Sequence, residues 1–213
     1  MTARVHETAI IGSDVEIGDG TAVWDHVHIR DGARIGTDCI VGEKTYLGPG
    51  VVVGDLVKIN TSVYICTGVT IERGVMVSAH VVFTNDRYPR ATTPDLERLR
   101  PSEADETTLS TLVCEGATIG AAAVIGPGIV LGRFAMIGMG SVVTRSVPDF
   151  QLVVGSPAVA VGYVCRCGVS LGRGVGAFEA TSVASCPSCG RRYRLTEGLV
   201  VEDDPGSDHA REQ

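Results

Sequence analysis

Aromatic residues are scarce in this chain of 213, with one Trp, four Phe and five Tyr making up 5% of it. Any core must therefore be built mainly from aliphatic side chains. Positive charge is also in deficit: 18 Lys and Arg against 25 Asp and Glu give a net charge of −7. That argues against nucleic acid as the main partner, because phosphate binding wants a basic face. No apolar run is long enough to cross a bilayer, and the opening MTARVHETAI lacks an apolar segment of signal-peptide length. The expectation is a cytoplasmic protein with no membrane partner, built as one domain with room for a small appendage. The cysteine count, seven, is odd, and a reducing compartment favours metal binding over disulfides for any cysteine cluster.

What the sequence has is a beat of six. Aliphatic residues recur at Val5, Ile11, Ile17, Val23, Ile29, Ile35, Val41, Leu47, Val53, Ile59, Ile65, Ile71 and Val77, closing on Phe83, and again at Val113, Ile119, Ile125, Leu131, Ile137 and Val143. Position two of the hexad is often Gly, as at Gly12, Gly42 and Gly120, and position five is small or branched. A period of six fits neither an α-helix nor an alternating strand. It fits a solenoid of short strands in which three hexads close one triangular coil and neighbouring coils pair as parallel strands. The expected fold class is all-β, a parallel β-helix of hexapeptide repeats. Gly at position two is expected to relieve backbone strain at the corners.

The beat breaks once, after Phe83. A polar stretch carrying Pro89, Pro94 and Pro101 follows, and Val113 restarts the count after one hexad plus four hexads' worth of excursion. Long polar loops without a core of their own are usually functional or disordered; function is favoured here. The expected organisation is a β-helix over 1–150 with the excursion at about 86–112, a connector at 151–164, a zinc-ribbon-like unit at 165–195, and a mostly disordered tail at 196–213.

Because coils repeat every third hexad, vertical columns can be read directly. His26, Lys44, Ser62 and His80 share position four and should form one outward ladder, continued by Ala122 and Gly140 if the coil resumes after the excursion. Such a ladder is polar below and small above, a strip on which a long thin ligand could lie. His80 at the junction is a candidate general base; the bland alternative is a solvated histidine. Asn85 and Asn60 are candidates to hold an amino or hydroxyl group, against a turn-forming role that is the stronger alternative for Asn60. Lys44 is a candidate phosphate contact or a solvated charge. A backbone amide of the small upper rungs is the candidate oxyanion donor.

After the repeat, Cys165-Arg-Cys167-Gly168 is followed by Cys186-Pro-Ser-Cys189-Gly190. Four cysteines in two pairs suit a closed tetrahedral structural Zn²⁺ site, although the first pair is tighter than the usual spacing.

The hexads, the segment SVYICTGVTIERGVMVSAHVVFTNDRYPRA (Ser62–Ala91) and the ending IGMGSVVTRSVPDFQLVVGSPA (Ile137–Ala158) resemble bacterial hexapeptide-repeat acyltransferases, closest to nucleotide-sugar 3-N-acetyltransferases. The resemblance implies a left-handed β-helix, a homotrimer with sites between subunits, acetyl-CoA as co-substrate, and N-acetylation of a UDP- or dTDP-linked amino sugar. By motif match it sets Asn85, Arg87, Tyr88 and Arg90 beside the sugar. Asn60, Ser62 and Lys44 are further substrate-contact candidates from the column and corner reading alone, and Asn60-Thr61-Ser62 departs from the Gln-Asn-Asn often found in those enzymes. Gly138, Gly140, Ser141 and Val143 would line pantetheine, with Ala122 added to that strip by its place in the column, and Ser156 and Pro157 would lie near the adenine end. His80 stands where those enzymes often carry a small residue. A γ-type carbonic anhydrase is excluded, since it needs three zinc-binding histidines and only His209 follows His80. O-acetylation of a hydroxyl and a non-enzymatic solenoid scaffold remain as alternatives.

Overall fold

The computed structural model describes residues 2–173, 183–196 and 199–203. Between Arg4 and Val143 lie twenty strands of two or three residues, each formed by hexad positions six and one. They stack into three parallel sheets, the faces of a triangular prism. Pairing follows one rule: Lys58 lies beside Ile40 below and Met76 above, three hexads away in each direction. The ladder is uniform, with Ile40 N–H donating to Val57 O at 2.9 Å and Gly42 N–H to Ile59 O at 2.8 Å. The chain is all-β among the described residues, a solenoid of hexapeptide coils.

Position one points inward. Ile29, Leu47, Ile59, Ile65, Ile119 and Ile125 are fully buried, and position five fills the space between them with smaller Val27, Ala33 and Val51. Few aromatics are needed because a narrow prism is filled at crystal-like density by branched aliphatics. Four polar residues also point inward at position five, Thr21, Thr45, Thr111 and Ser141, and of these the Thr111 hydroxyl has no hydrogen-bond partner among the described residues. Thr21 and Thr45 donate their hydroxyls to Gly36 O and Asn60 O, at 2.8 and 3.0 Å, and Ser141 Oγ accepts from Gly155 N–H at 3.1 Å.

The corner glycines do a different job from the one the repeat suggests. Left-handed backbone occurs at position four, where Gly is joined by His26, Lys44, Leu56, Ser62, His80 and Ala122, all with φ between 55 and 61°. Gly at position two is required by close approach instead: a Cβ on Gly42 would lie 2.6 Å from Asn60 C, and one on Gly120 would lie 2.5 Å from Met139 N. The expectation of strain relief at position two is thus corrected. Position two is where one coil's backbone rests on the next.

The excursion is a clean insertion. Ile71 pairs with Val113 and Met76 with Thr118, so paired rungs there stand seven hexads apart, the usual three plus four. Leu109 N–H closes the base of the loop on Asn85 O at 2.8 Å. Within it Asp86 bridges Thr108 and Thr92 bridges Leu99. Arg100 reaches Tyr88 O at 3.0 Å and Asp105 at 3.5 Å.

The stretch 151–164 consists of strands Gln151–Val154 and Val159–Val164, which continue the first face and turn it antiparallel, followed by Ser170–Arg173. A separate three-stranded antiparallel sheet comprises Val183–Ser185, Arg192–Thr196 and Leu199–Asp203. It reaches beyond the 165–195 span suggested by sequence, and residues 204–213 of the expected tail lie outside the described residues. A second apolar cluster of Phe150, Tyr163, Cys165, Cys186, Tyr193 and Val200 joins this unit to the end of the solenoid.

Candidate active site

The ladder at the first corner exists as a column. Lys44 N–H donates to Asp25 O at 3.1 Å, Ser62 N–H to Glu43 O at 2.9 Å, and His80 N–H to Thr61 O at 3.1 Å. Across the inserted loop the column continues, with Ala122 N–H on Ala79 O at 2.9 Å and Gly140 N–H on Ala121 O at 2.8 Å. His26, Lys44, His80, Ala122 and Gly140 are exposed along it, and Ser62 is half-buried. Every residue of the column shares the left-handed backbone, which throws the position-four side chain out of the corner. At the top, Gly138 N–H donates to Val153 O and Val142 N–H to Gly155 O, setting the exposed Ser156 and Pro157 above the same corner.

Two residues expected along the ligand strip point the other way. Ser141 and Val143 are buried, at 0% and 1% exposure, because positions five and one face the prism interior. The exposed strip above His80 is Ala121, Ala122, Met139 and Gly140, with Gly120 and Gly138 at its half-buried edge. The oxyanion expectation also narrows. The amides of Gly120, Ala122, Gly138 and Gly140 all donate into the inter-coil ladder, so a donor from this strip would be a position-three amide, Ala121 or Met139.

Asn85, Arg87, Tyr88 and Arg90 stand elsewhere. The strand Val82–Phe83 of the second face separates them from His80, and Asn85 lies at the next corner of the prism. One chain therefore does not bring His80 and the excursion into one groove. Asn85 donates its side-chain amide to Thr67 O at 3.0 Å and pins the loop base, while Arg87 lies 5.4 Å from the Tyr88 ring and Arg90 is exposed.

Beside the ladder lies a cleft of about 260 Å³ lined by Trp24, Ile40, Glu43, Asn60, Thr61 and Ala79. Asn60 lines this cleft; its backbone is not left-handed, and its N–H donates to Val77 O at 2.9 Å in the inter-coil ladder. Sequence reasoning missed Trp24 and Glu43. The signal was available, since Trp24 occupies a position-two site where Gly is usual.

The buried thiols of the solenoid are poor nucleophiles. Burial pushes Cys66 up to about 11 and also raises Cys39. The four later cysteines, by contrast, converge. The Sγ atoms of Cys165, Cys167, Cys186 and Cys189 all lie within 4.8 Å of one another, Cys165 and Cys189 at 3.4 Å, Cys167 and Cys186 at 3.6 Å. A tetrahedral zinc with Zn–S near 2.3 Å sets Sγ–Sγ edges of about 3.8 Å, and the set matches that size. Backbone amides of Cys189 and then Ser188 pull the Cys186 thiol down to about 6, the ligand-competent form, whereas burial pushes Cys165 up to about 12. Tyr193 OH lies 3.0 Å from Cys165 Sγ, and its ring packs edge-on against Phe150, which stacks on Phe134 of the last coils.

By fold and repeat the chain is a hexapeptide β-solenoid. No protein-family model matches it. Over 92 residues it is 44% identical to a dTDP-3-amino-3,6-dideoxy-α-D-galactopyranose 3-N-acetyltransferase of Aneurinibacillus thermoaerophilus, a match covering 43% of this chain and 44% of that protein. The chain thus aligns with less than half the length of that relative. Among solved structures, a mutant of AntD, an N-acyltransferase from Bacillus cereus in complex with dTDP and coenzyme A, superposes with a TM-score of 0.52 at 16% identity, covering 78% of this chain and 84% of that one. At that identity the likeness establishes the fold alone.

Proposed function

We propose that this protein is an acyl-CoA-dependent N-acetyltransferase acting on the amino group of a nucleotide-linked sugar. The observation that carries the reading is the first corner itself: one unbroken column that is small and open above His80 and polar beside a cleft below it. The likeness to a 3-N-acetyltransferase supports the same reading. Acetyl-CoA lies along Ala122, Gly138 and Gly140 toward Ser156 and Pro157, with its thioester near His80, and the acceptor amine enters from the side of Ser62. The amine attacks the thioester carbonyl, a position-three amide steadies the oxyanion, His80 takes the amine proton, and collapse expels the CoA thiolate, which is then protonated.

The excursion completes the site from a second copy. Three prisms side by side, most simply left-handed as the resemblance implies, bring the loop of one subunit, with Arg87, Tyr88 and Arg90, against the first corner of its neighbour. The solenoid, the excursion and the cysteine unit then have separate roles. The four cysteines hold a structural zinc that leaves no open coordination position and so supplies folding energy and no chemistry. Among the described residues no helix is long and apolar enough to span a membrane.

The experiment is an assay of thiol release from acetyl-CoA with a panel of dTDP- and UDP-linked amino sugars, with mass spectrometry of the products. Acetylated amino sugar is expected. Turnover only with the corresponding hydroxyl sugars, or none with any nucleotide sugar, would overturn the assignment. The shared-site arrangement is tested by mixing a His80→Asn protein with one lacking the loop: mixed assemblies recover part of the activity if the loop acts on its neighbour, and none if each chain is self-sufficient.

A further inference from the structure

The cleft below His80 has an architecture that the repeat explains. Position two normally carries Gly because the next coil rests there, yet three successive rungs of this corner carry Trp24, Gly42 and Asn60. Gly42 is covered by the backbone of Asn60 and Thr61 and adds no side chain to the outer surface, where Trp24, Glu43 and Asn60 line the cleft. Trp24 and Asn60 are two rungs apart, about 10 Å at the spacing of neighbouring strands. That leaves room for one flat ring stacked on the indole, with its edge toward the Asn60 amide. Trp24 is 52% exposed, although it is the chain's sole tryptophan and among its largest apolar side chains. Half of that surface meets water in the free chain.

We propose that Trp24 is the nucleobase platform of the acceptor site and that the nucleotide sugar lies lengthwise down the corner, base below and sugar amine at His80. This rests on the acyltransferase reading above and assigns the orientation and the base-recognising residues within it. The order of chemistry along the column fits. Trp24 and Asn60 bracket the base, and Glu43, half-buried in the cleft wall, accepts from ribose hydroxyls. Lys44, exposed on the ladder beside that rung, faces the diphosphate, and the sugar passes Ser62 to reach His80. From the Gly42 rung to the His80 rung is two coils and from Trp24 three, roughly 10 to 14 Å, a span that the diphosphate and sugar ring of such a ligand bridge. The charges opposing a diphosphate here are Asp25, 4.0 Å from His26, and Glu43 itself. They lie at position three, to the side of the cationic position-four ladder, so a diphosphate is drawn toward Lys44 and away from the cleft wall.

The single tryptophan makes the test direct, because intrinsic indole fluorescence of the full chain reports this residue and no other. Titration with dTDP or UDP is expected to quench it, with the same Kd that calorimetry gives. Trp24→Ala is expected to weaken nucleotide binding about 10- to 100-fold, as loss of one base–aromatic stack does. Trp24→Phe should keep most of the affinity, and acetyl-CoA should raise the melting temperature of all three proteins alike. If the wild-type chain binds dTDP or UDP by calorimetry but its fluorescence stays flat and Trp24→Ala binds equally well, the platform is elsewhere while the acyltransferase reading stands. If acetyl-CoA binds and neither nucleotide does, the nucleotide-linked acceptor is wrong, and this assignment falls with it.

Discussion

Ala122 sits one rung above His80, its N–H donating to the Ala79 carbonyl at 2.9 Å, although seven hexads of chain separate the two. The inserted loop leaves and returns without disturbing the stack. His80 is therefore the last polar rung of the corner, and Ala122 the first of the small ones.

A deletion follows from this register. Removing the segment 86–109 joins Asn85 to Ser110 and restores the hexad Phe83, Thr84, Asn85, Ser110, Thr111, Leu112 before Val113, since the segment is four whole hexads long. The shortened protein should keep its β circular dichroism and its thermal shift with acetyl-CoA, and lose sugar acetylation. Failure to fold would mean that the loop is part of the solenoid's stability, contrary to its register.

His80→Asn separates chemistry from backbone. Asn tolerates left-handed angles, so the φ of 61° at this rung should cost the variant little. The expected result is a fall in kcat of about 10²–10⁴-fold with the melting temperature nearly unchanged and KM for acetyl-CoA preserved. Turnover close to wild type would remove His80 from proton transfer and leave the amine to be bound already neutral.

The fold and the first corner were legible because a six-residue period is a purely local code. Once three hexads make a coil, the column His26, Lys44, Ser62, His80 follows by addition, and even the inserted loop keeps an integral count. What was illegible depends on direction. The same arithmetic that aligns Gly138 and Gly140 on the corner sends Ser141 and Val143 inward, and family resemblance did not register that difference. Likewise His80 and Asn85 are near in sequence but flank a face of the prism, so proximity along the chain suggested one groove where there are two corners. Trp24 was overlooked because its significance lies in the cleft it lines with Glu43 and Asn60 of other coils, a grouping that the six-residue count does not show.

The two kinds of corner position predict opposite outcomes. Gly120→Ala places a methyl 2.5 Å from Met139 N and 2.7 Å from Ile137 O, backbone atoms that cannot swing aside. A loss of about 1–3 kcal/mol is expected in urea unfolding, typical of overpacking. Leu56, 47% exposed and held at φ 57°, carries a left-handed penalty that Gly avoids. Leu56→Gly should be neutral or stabilising by up to about 1 kcal/mol, the steric relief outweighing the added chain entropy. Reversal of the two results would mean that position two, and not position four, carries the corner strain.

Removing the metal tests whether the cysteine unit closes the solenoid end. The contact runs from Cys165 through Tyr193 and Phe150 to Phe134, over which the Arg166 guanidinium lies at 4.4 Å. If zinc holds the four thiolates, the purified chain contains one equivalent by mass spectrometry, and Cys167→Ser or a strong chelator releases it. Release should loosen the packing of Tyr193 on Phe150, seen as a change in near-ultraviolet dichroism, and lower the melting temperature, while the far-ultraviolet signal of the coils persists below the transition. Metal-free protein that melts at the same temperature as the loaded form would show that the unit is an appendage without a capping role, because burial of Tyr193 and Phe150 would then need no thiolate knot to hold it.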